Sequence, residues 1–216
     1  MKRCYLSLFL LFFVMVLLAQ KKSDENFLIS VEAGKGCLIG KSNVSPVGVN
    51  YRNQYSSGIS INTKVMYFWN SWIGVGLKGN SFTTSGDYLL NGKVNYADDI
   101  VTYYVAPQLE MRRSFRNNFL ISFGMGIGYM YYKNESANEI NMKTISHSDA
   151  ANMDLMFEYK IMKRLSIRGG VSCIAADNFK KMKRTIEQET IIIKPQKWDK
   201  IQMFRIDYVF GIVGAF

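Results

Sequence analysis

Hydrophobic and polar residues alternate along the last segment of the chain. Between Phe204 and Phe216 one face carries large apolar side chains and the other carries Arg205, Asp207 and small or aliphatic residues. An alternation with a period of two is typical of a β-strand whose two faces meet different surroundings. The apolar face consists of Phe204, Ile206, Tyr208, Phe210, Ile212 and Phe216.

The same pattern recurs along the rest of the chain. Its clearest form is the segment from Phe119 to Tyr131, in which apolar residues alternate with serine or glycine at positions 122, 124, 126 and 128. The alternating segments are 27–34, 59–67, 73–80, 101–111, 119–131, 152–161, 165–173 and 204–216. Their repetition predicts an all-β fold, with segments of about the 9–11 residues that a tilted membrane strand needs.

The connectors between these segments alternate in length. Short connectors are expected at 69–72, 112–118 and 162–164, and long polar ones at 40–57, 83–99, 133–149 and 177–200. Short turns on one side and long loops on the other are the arrangement of outer-membrane barrels. We therefore predict an eight-stranded antiparallel up-and-down transmembrane β-barrel with short periplasmic turns and long extracellular loops. In the last loop, Thr190 to Ile193 suggests that strands seven and eight continue past the membrane as a ribbon.

The first residues have the features of a secretory leader. Lys2 and Arg3 precede an apolar run from Tyr5 to Leu18, and Ala19 is followed by a polar stretch. The run is shorter than the roughly 20 residues of a spanning helix, although an uncleaved anchor is the alternative. We predict a cleaved signal peptide at 1–19 and a single barrel domain at 20–216.

Composition and charge agree with an exported strand-rich protein. Aromatic residues make up 14% of the chain and only three prolines occur, which favours uninterrupted strands. Removing Lys2 and Arg3 lowers the formal net charge from +10 to +8. An exported basic protein meets lipopolysaccharide phosphates rather than nucleic acid. We expect outer-membrane lipid and lipopolysaccharide as partners, no nucleic acid, and a monomer.

The two cysteines that follow the leader are expected to be free. Cys37 lies in the first strand and Cys173 in the seventh, so the eighth strand would stand between them in a closed barrel. Two strand spacings amount to about 10 Å, which is too far for a disulfide.

Catalytic and metal-binding motifs are scarce. The chain has a single histidine, His147, followed by Ser148 in a predicted loop, and it has no HExxH, CxxC or Walker sequence. The glycines at 124, 126 and 128 lie within a strand and not in a nucleotide-binding turn. We predict no enzymatic activity, no cofactor and no metal site. A barrel-embedded lipid-modifying enzyme that depends on His147 or Ser148 is an alternative.

Charged residues recur on the predicted inward face of the barrel. They could form ion pairs that fill the interior, which we favour, or line a narrow channel for ions or small solutes. These residues are Glu32, Lys64, Lys78, Glu110, Asp154, Glu158, Lys160, Arg168, Arg205 and Asp207. A short turn at 162–164 would place Glu158 opposite Arg168 and predicts an ion pair between them. A basic cluster in the last loop could bind anions and consists of Lys180, Lys181, Lys183 and Arg184.

From Asn26 to Phe216 the chain resembles the small bacterial outer-membrane barrels, the OmpA/OmpX-like group and the barrel domains common in Bacteroidota. The resemblance implies a location in the outer membrane and a structural or surface-interaction role. In that family the final strand is the signal read by the barrel-assembly machinery. Phe210, Gly211, Ile212 and Phe216 match this signal, whereas Gly214 stands where a bulky residue is usual.

Overall fold

A computed structural model describes residues 26–40, 55–90, 94–116, 118–137, 142–177, 179, 181–186, 189–193 and 202–216. The predicted signal peptide and its cleavage site lie outside these residues. Within them, no helix is long and apolar enough to cross a membrane.

The described residues form ten β-strands in one sheet. Each of the strands β1 to β6 pairs with the next strand in the chain. Strand β7 pairs with β10, and β10 pairs with β1, so that these eight strands close into an antiparallel barrel. The predicted up-and-down barrel of eight strands is therefore confirmed. The strands are β1 Phe27–Leu38, β2 Ser57–Phe68, β3 Ile73–Leu90, β4 Val94–Arg116, β5 Phe119–Ala137, β6 Met142–Met162, β7 Leu165–Ala176, β8 Met182–Ile186, β9 Glu189–Ile193 and β10 Met203–Ala215.

Pairing between β1 and β10 closes the barrel. Its register extends from Leu28 opposite Ala215 to Leu38 opposite Arg205. Ile206 of β10 lies opposite Cys37 on one side and opposite Cys173 on the other. Both cysteines are free, as predicted, because a strand separates them.

The outer face of the barrel is apolar and the inner face is polar. Ile127 is 76% exposed and Phe210 is 63% exposed, whereas Lys78 and Asp207 are fully buried. This distribution is the reverse of that in a water-soluble protein, where lysine and aspartate are almost never fully buried. The predicted faces of all eight strands are confirmed, and the outer surface is suited to a hydrocarbon environment.

Several strands are longer than the sequence predicted. The β3–β4 ladder continues to Leu90 opposite Val94, and the β5–β6 ladder continues to Ser136 opposite Met142. The expected loops 83–99 and 133–149 are therefore largely strand, and β4 also takes up most of the expected connector 112–118. Backbone hydrogen bonds can extend a ladder without an apolar face, so the end of the apolar alternation did not mark the end of the strands.

The segment 177–200 contains a further hairpin. Strand β8 pairs with the extension of β6, from Met142 opposite Ile186 to Ser146 opposite Met182, and β9 pairs with β8. The expectation that Thr190 to Ile193 would extend strands seven and eight as a ribbon was wrong. These residues form β9, which is joined to β6 through β8.

Gly211 allows the close approach of β10 to β1. A Cβ atom at this position would lie 2.0 Å from the carbonyl oxygen of Val31. We expect Gly211→Ala to destabilise the barrel by about 1–3 kcal/mol, because the backbone must shift to relieve the clash. Urea unfolding of the protein in lipid vesicles measures the change.

Gly79 provides the matched control for this substitution. Its Cβ would meet only the Thr63 hydroxyl, at 2.9 Å, and that side chain can rotate away. Equal costs for Gly79→Ala and Gly211→Ala would contradict a special steric requirement at the closing strands.

Candidate functional site

The interior of the barrel contains a network of six charged side chains, which we call the central network. They come from strands β1, β2, β3, β4, β6 and β7, and each is at most 1% exposed. Three are acidic and three are basic, so their formal charges cancel. The members are Glu32, Lys64, Lys78, Glu110, Asp154 and Arg168.

Asp154 forms ion pairs with two lysines. The Lys64 ammonium lies 2.8 Å and the Lys78 ammonium 2.6 Å from its carboxylate oxygens. The Gln108 amide also donates a hydrogen bond to Asp154 at 3.1 Å, and Lys78 donates a second one to Ser172 at 2.7 Å. Both oxygens of the buried carboxylate therefore have donors, as a buried charge requires.

Arg168 links two other carboxylates of the central network. Its guanidinium donates to Glu110 and to the Ser122 hydroxyl, and it lies 3.8 Å from Glu32. Ser30 donates to Glu32 at 2.8 Å. The Lys64 ammonium, 3.5 Å from Glu110, connects this part of the network with Asp154.

A second group of buried polar side chains surrounds Arg205. The Arg205 guanidinium lies 2.6 Å from Asp207, and it also donates to Thr102 at 3.2 Å and to Asn80. Its carbon atom is 4.1 Å from the centre of the Phe82 ring, a cation–π distance. Arg205 and Asp207 are thus held within one side of the barrel rather than in the central network.

Glu158 and Lys160 lie toward the end of β6 that carries the short turn. Glu158 is 6% exposed and is directly opposite Arg168, and Lys160 is opposite Ser166, so the predicted register is found. Within the described residues, however, the ion pairs of Arg168 are with Glu110 and Glu32. The side chain of Arg168 extends across the narrow lumen to the carboxylates on β4 and β1. In the described part of the chain it does not form the predicted ion pair with Glu158 on the neighbouring strand β6.

Neutral polar residues extend these networks and were not singled out from the sequence. They share the inward parity of the charged residues and form hydrogen bonds with several of them. Asn80, for example, donates to both Ser60 and Asn62 at 2.9 Å, and Ser60 donates to Asp207 at 2.7 Å. Parity could have identified them, but their partners depend on which side chains face one another across the lumen.

Apolar side chains occupy the interior on the side of the long connectors. Phe82, Ile100 and Tyr132 are fully buried there, and the Tyr104 hydroxyl donates to Asn152 at 2.8 Å below them. We call this group the upper apolar layer. It consists of Leu38, Tyr55, Phe82, Ile100, Tyr104, Ala106, Met130, Tyr132, Ala150, Ile174, Ala176, Phe179, Met182 and Met203. A smaller apolar group lies at the opposite end and includes Met66, Phe68 and Val213.

His147 and Ser148 lie on opposite faces of β6. The imidazole of His147 points outward and packs between Tyr129 and Tyr131, with ring centres 5.4 and 5.3 Å away. The Ser148 hydroxyl is buried and donates to the carbonyl oxygen of Asp149 at 2.8 Å. His147 is therefore in a strand and not in the predicted loop, and it is turned away from Ser148. Within the described residues, no group of His, Cys, Asp and Glu side chains is placed to hold a metal ion.

The predicted anion-binding cluster is distributed over the β8–β9 hairpin. Lys181 and Lys183 are exposed, Arg184 is half-buried, and Lys180 lies outside the described residues. A separate ion-pair cluster on the same end of the barrel joins Glu135 to Lys133 at 2.7 Å and to Lys143 at 3.2 Å. The hydrogen bond from Lys133, together with that from Lys143, holds the pKa of Glu135 below its usual value.

The residues of the predicted assembly signal lie on β10 and at its end. Phe210, Ile212 and Phe216 are exposed on the outer face, and Gly211 faces inward against β1. This placement agrees with the predicted alternation, and recognition by the assembly machinery stays a prediction.

Comparison with solved structures reveals similar barrels. A major outer membrane protein of Thermus thermophilus has a TM-score of 0.61 and 14% identity over 88% of this chain and 99% of its own. OprG of Pseudomonas aeruginosa has a TM-score of 0.56 and 18% identity over 91% and 98%. The outer membrane protease OmpT of Escherichia coli has a TM-score of 0.52 and 8% identity over 91% and 98%. The chain folds as a small outer-membrane β-barrel.

Sequence comparisons add no closer assignment. No family model matches the chain, and no curated protein matches it either. The predicted membership of the Bacteroidota barrel family therefore stays a prediction. Because OmpT is a protease, the small outer-membrane β-barrel fold by itself does not decide whether a protein is an enzyme.

Proposed function

We propose that this protein is an integral outer-membrane barrel with a closed interior, and that its role is structural or lies in surface interactions. This proposal rests on the arrangement of side chains inside the barrel. A charge-balanced network fills the middle of the lumen, and buried apolar side chains occupy the side of the long connectors. An eight-stranded barrel is just wide enough for its own side chains to fill it.

The parts of the strands that extend beyond the predicted membrane-spanning segments would supply the interacting surface. The β3–β4 and β5–β6 ladders and the β8–β9 hairpin lie on the side that faces the outside of the cell in barrels of this kind. Ile191 and Ile192 of β9 are 50% and 70% exposed. A rigid extension of this kind presents side chains in fixed positions, as a binding surface requires.

A narrow channel is the alternative that the interior argues against. An ion moving along the lumen would have to displace the paired charges around Asp154 and then pass the side chains of Phe82, Ile100 and Tyr132. Leaving a buried charge unpaired is costly, and an apolar constriction excludes water. The side chains of His147 and Ser148 point to opposite faces of β6, so they are not arranged as a catalytic pair. This arrangement disfavours a lipid-modifying enzyme that depends on both residues.

We expect the purified protein to give no stepwise currents in planar lipid bilayers at moderate voltage. The measurement needs a parallel test of insertion, which the heat-modifiable gel mobility of the same preparation provides. Regular conductance steps from inserted, folded protein would contradict a closed interior and favour the channel.

A further inference from the structure

A recess of about 560 Å³ lies in the outer wall of the barrel, near the turn at 69–72 and the start of β5. Its walls are mainly apolar, and two arginines and a tryptophan lie among them. The side chains that form it include Trp72, Met111, Arg113, Phe115, Ile121 and Phe123. This end of the barrel carries the short turns, which face the periplasm in outer-membrane barrels.

The register between β4 and β5 explains why these side chains form one patch. Met111 is directly opposite Phe123, and Arg113 is directly opposite Ile121. Opposed residues on neighbouring strands point to the same face of the sheet, here the outer one. The recess therefore opens toward the lipid-facing surface and not toward the lumen.

Arg113 is an exposed basic residue within this apolar outer face. Its guanidinium lies 5.8 Å from the centre of the Phe115 ring, and within the described residues it forms no ion pair. The neighbouring Arg112 also lines the recess, but its guanidinium lies 3.9 Å from the Phe68 ring and its Nε donates to the carbonyl oxygen of Ser71. A cation on the lipid-facing side is costly unless an anion at the interface balances it.

Trp72 forms part of the wall of the recess. Its indole nitrogen is buried and has no acceptor among the residues that the structure describes. A buried N–H group without an acceptor is rare in folded proteins, because it loses its hydrogen bond to water. The indole nitrogen is enclosed by protein atoms, so a ligand in the recess would contact the ring of Trp72 and not its N–H group.

We propose that the recess binds one phospholipid of the periplasmic leaflet. Its acyl chain would lie along Met111, Ile121 and Phe123, beside the Trp72 ring, and its phosphate would pair with Arg113. Arginine and phosphate match in charge and geometry, and the apolar walls match the chain. The proposal rests on the outer-membrane location proposed above, since that location supplies the lipid.

Titration of the folded, full-length protein with short-chain phosphatidylglycerol tests the site. Native mass spectrometry counts the bound lipids, and a variant with Trp69→Phe and Trp198→Phe reports on Trp72 through quenching by brominated acyl chains. We expect one tightly bound phosphatidylglycerol and quenching of Trp72. Arg113→Gln should weaken binding about tenfold or more, because an ionic hydrogen bond is lost.

Lys163→Gln is the matched control. It removes the same charge at an exposed position of the β6–β7 turn, at the same end of the barrel, and should leave binding unchanged. Diacylglycerol, which has the chains but no phosphate, should bind much more weakly than phosphatidylglycerol. Equal binding by the Arg113→Gln and Lys163→Gln variants, or equal binding of the two lipids, would overturn the proposed site.

The outer-membrane location and the lipid site can be refuted independently of each other. A protein that stays in buffer without detergent, lacks heat-modifiable mobility and still binds phosphatidylglycerol through Arg113 would refute the location and keep the site. An inserted, heat-modifiable barrel that fails the Arg113 comparison would refute the site and keep the location.

Discussion

Replacing Arg168 with methionine is expected to destabilise the barrel by about 3–5 kcal/mol, because it leaves buried carboxylates without their partner. Arg168 contacts Glu110 and Glu32, and all three side chains are at most 1% exposed. Methionine fills much of the space but cannot balance the two charges. Urea unfolding in lipid vesicles at neutral pH measures the effect.

Two comparisons identify the origin of this cost. Lys163→Met removes a positive charge from an exposed turn and should change stability by less than about 0.5 kcal/mol. A double-mutant cycle of Arg168→Met with Glu110→Gln should show strong coupling, and the same cycle with Glu158→Gln weaker coupling. Stronger coupling to Glu158 would mean that the arginine pairs along the sheet and not across the lumen.

Leu155→Arg is expected to cost about 2–4 kcal/mol, the range for an arginine that faces lipid near the middle of a barrel wall. Leu155 is 44% exposed on the outer face of β6, opposite Phe123 and Val171. In water an arginine at such an exposed position would be tolerated, so the cost arises from the hydrocarbon. The same unfolding experiment in vesicles measures it.

Ile192→Arg is the control that distinguishes the cost of placing arginine against lipid from the cost of placing it at any exposed apolar position. Ile192 is 70% exposed, but it lies on β9, which pairs only through β8 with the extension of β6. Because that hairpin belongs to the predicted extracellular segment 177–200, outside the eight strands that close the barrel, the substitution should be nearly neutral. Similar costs at both positions would show that the outer face of β6 does not contact lipid.

The sequence was sufficient to predict the barrel, because alternation determines which face each residue occupies. Cys37 and Cys173 could be placed on either side of the final strand for the same reason, since up-and-down connectivity leaves no other neighbour. The position of Glu158 opposite Arg168 also followed from the sequence, because a short turn fixes the register of the strands that it joins.

The contacts inside the lumen could not be predicted in the same way. Arg168 reaches Glu110 on β4, and Lys78 on β3 reaches Asp154 on β6, so the partners depend on the tilt and curvature of the closed sheet. The ends of the long strands were missed because polar ladders lack an apolar signal. The docking of β8 on β6 was missed because it joins segments that no turn connects directly.

The pairing of β1 with β10 also constrains the order in which the protein can fold. Leu28 and Ala215 are paired although almost the whole chain lies between them. Contacts between residues so distant in sequence form slowly, because the entropy of the intervening chain must be lost first. Until then both edge strands present unpaired backbone groups, which water can solvate and hydrocarbon cannot. The chain therefore has to reach the membrane with β10 already synthesised, and closure of this last pair of strands should coincide with completion of insertion.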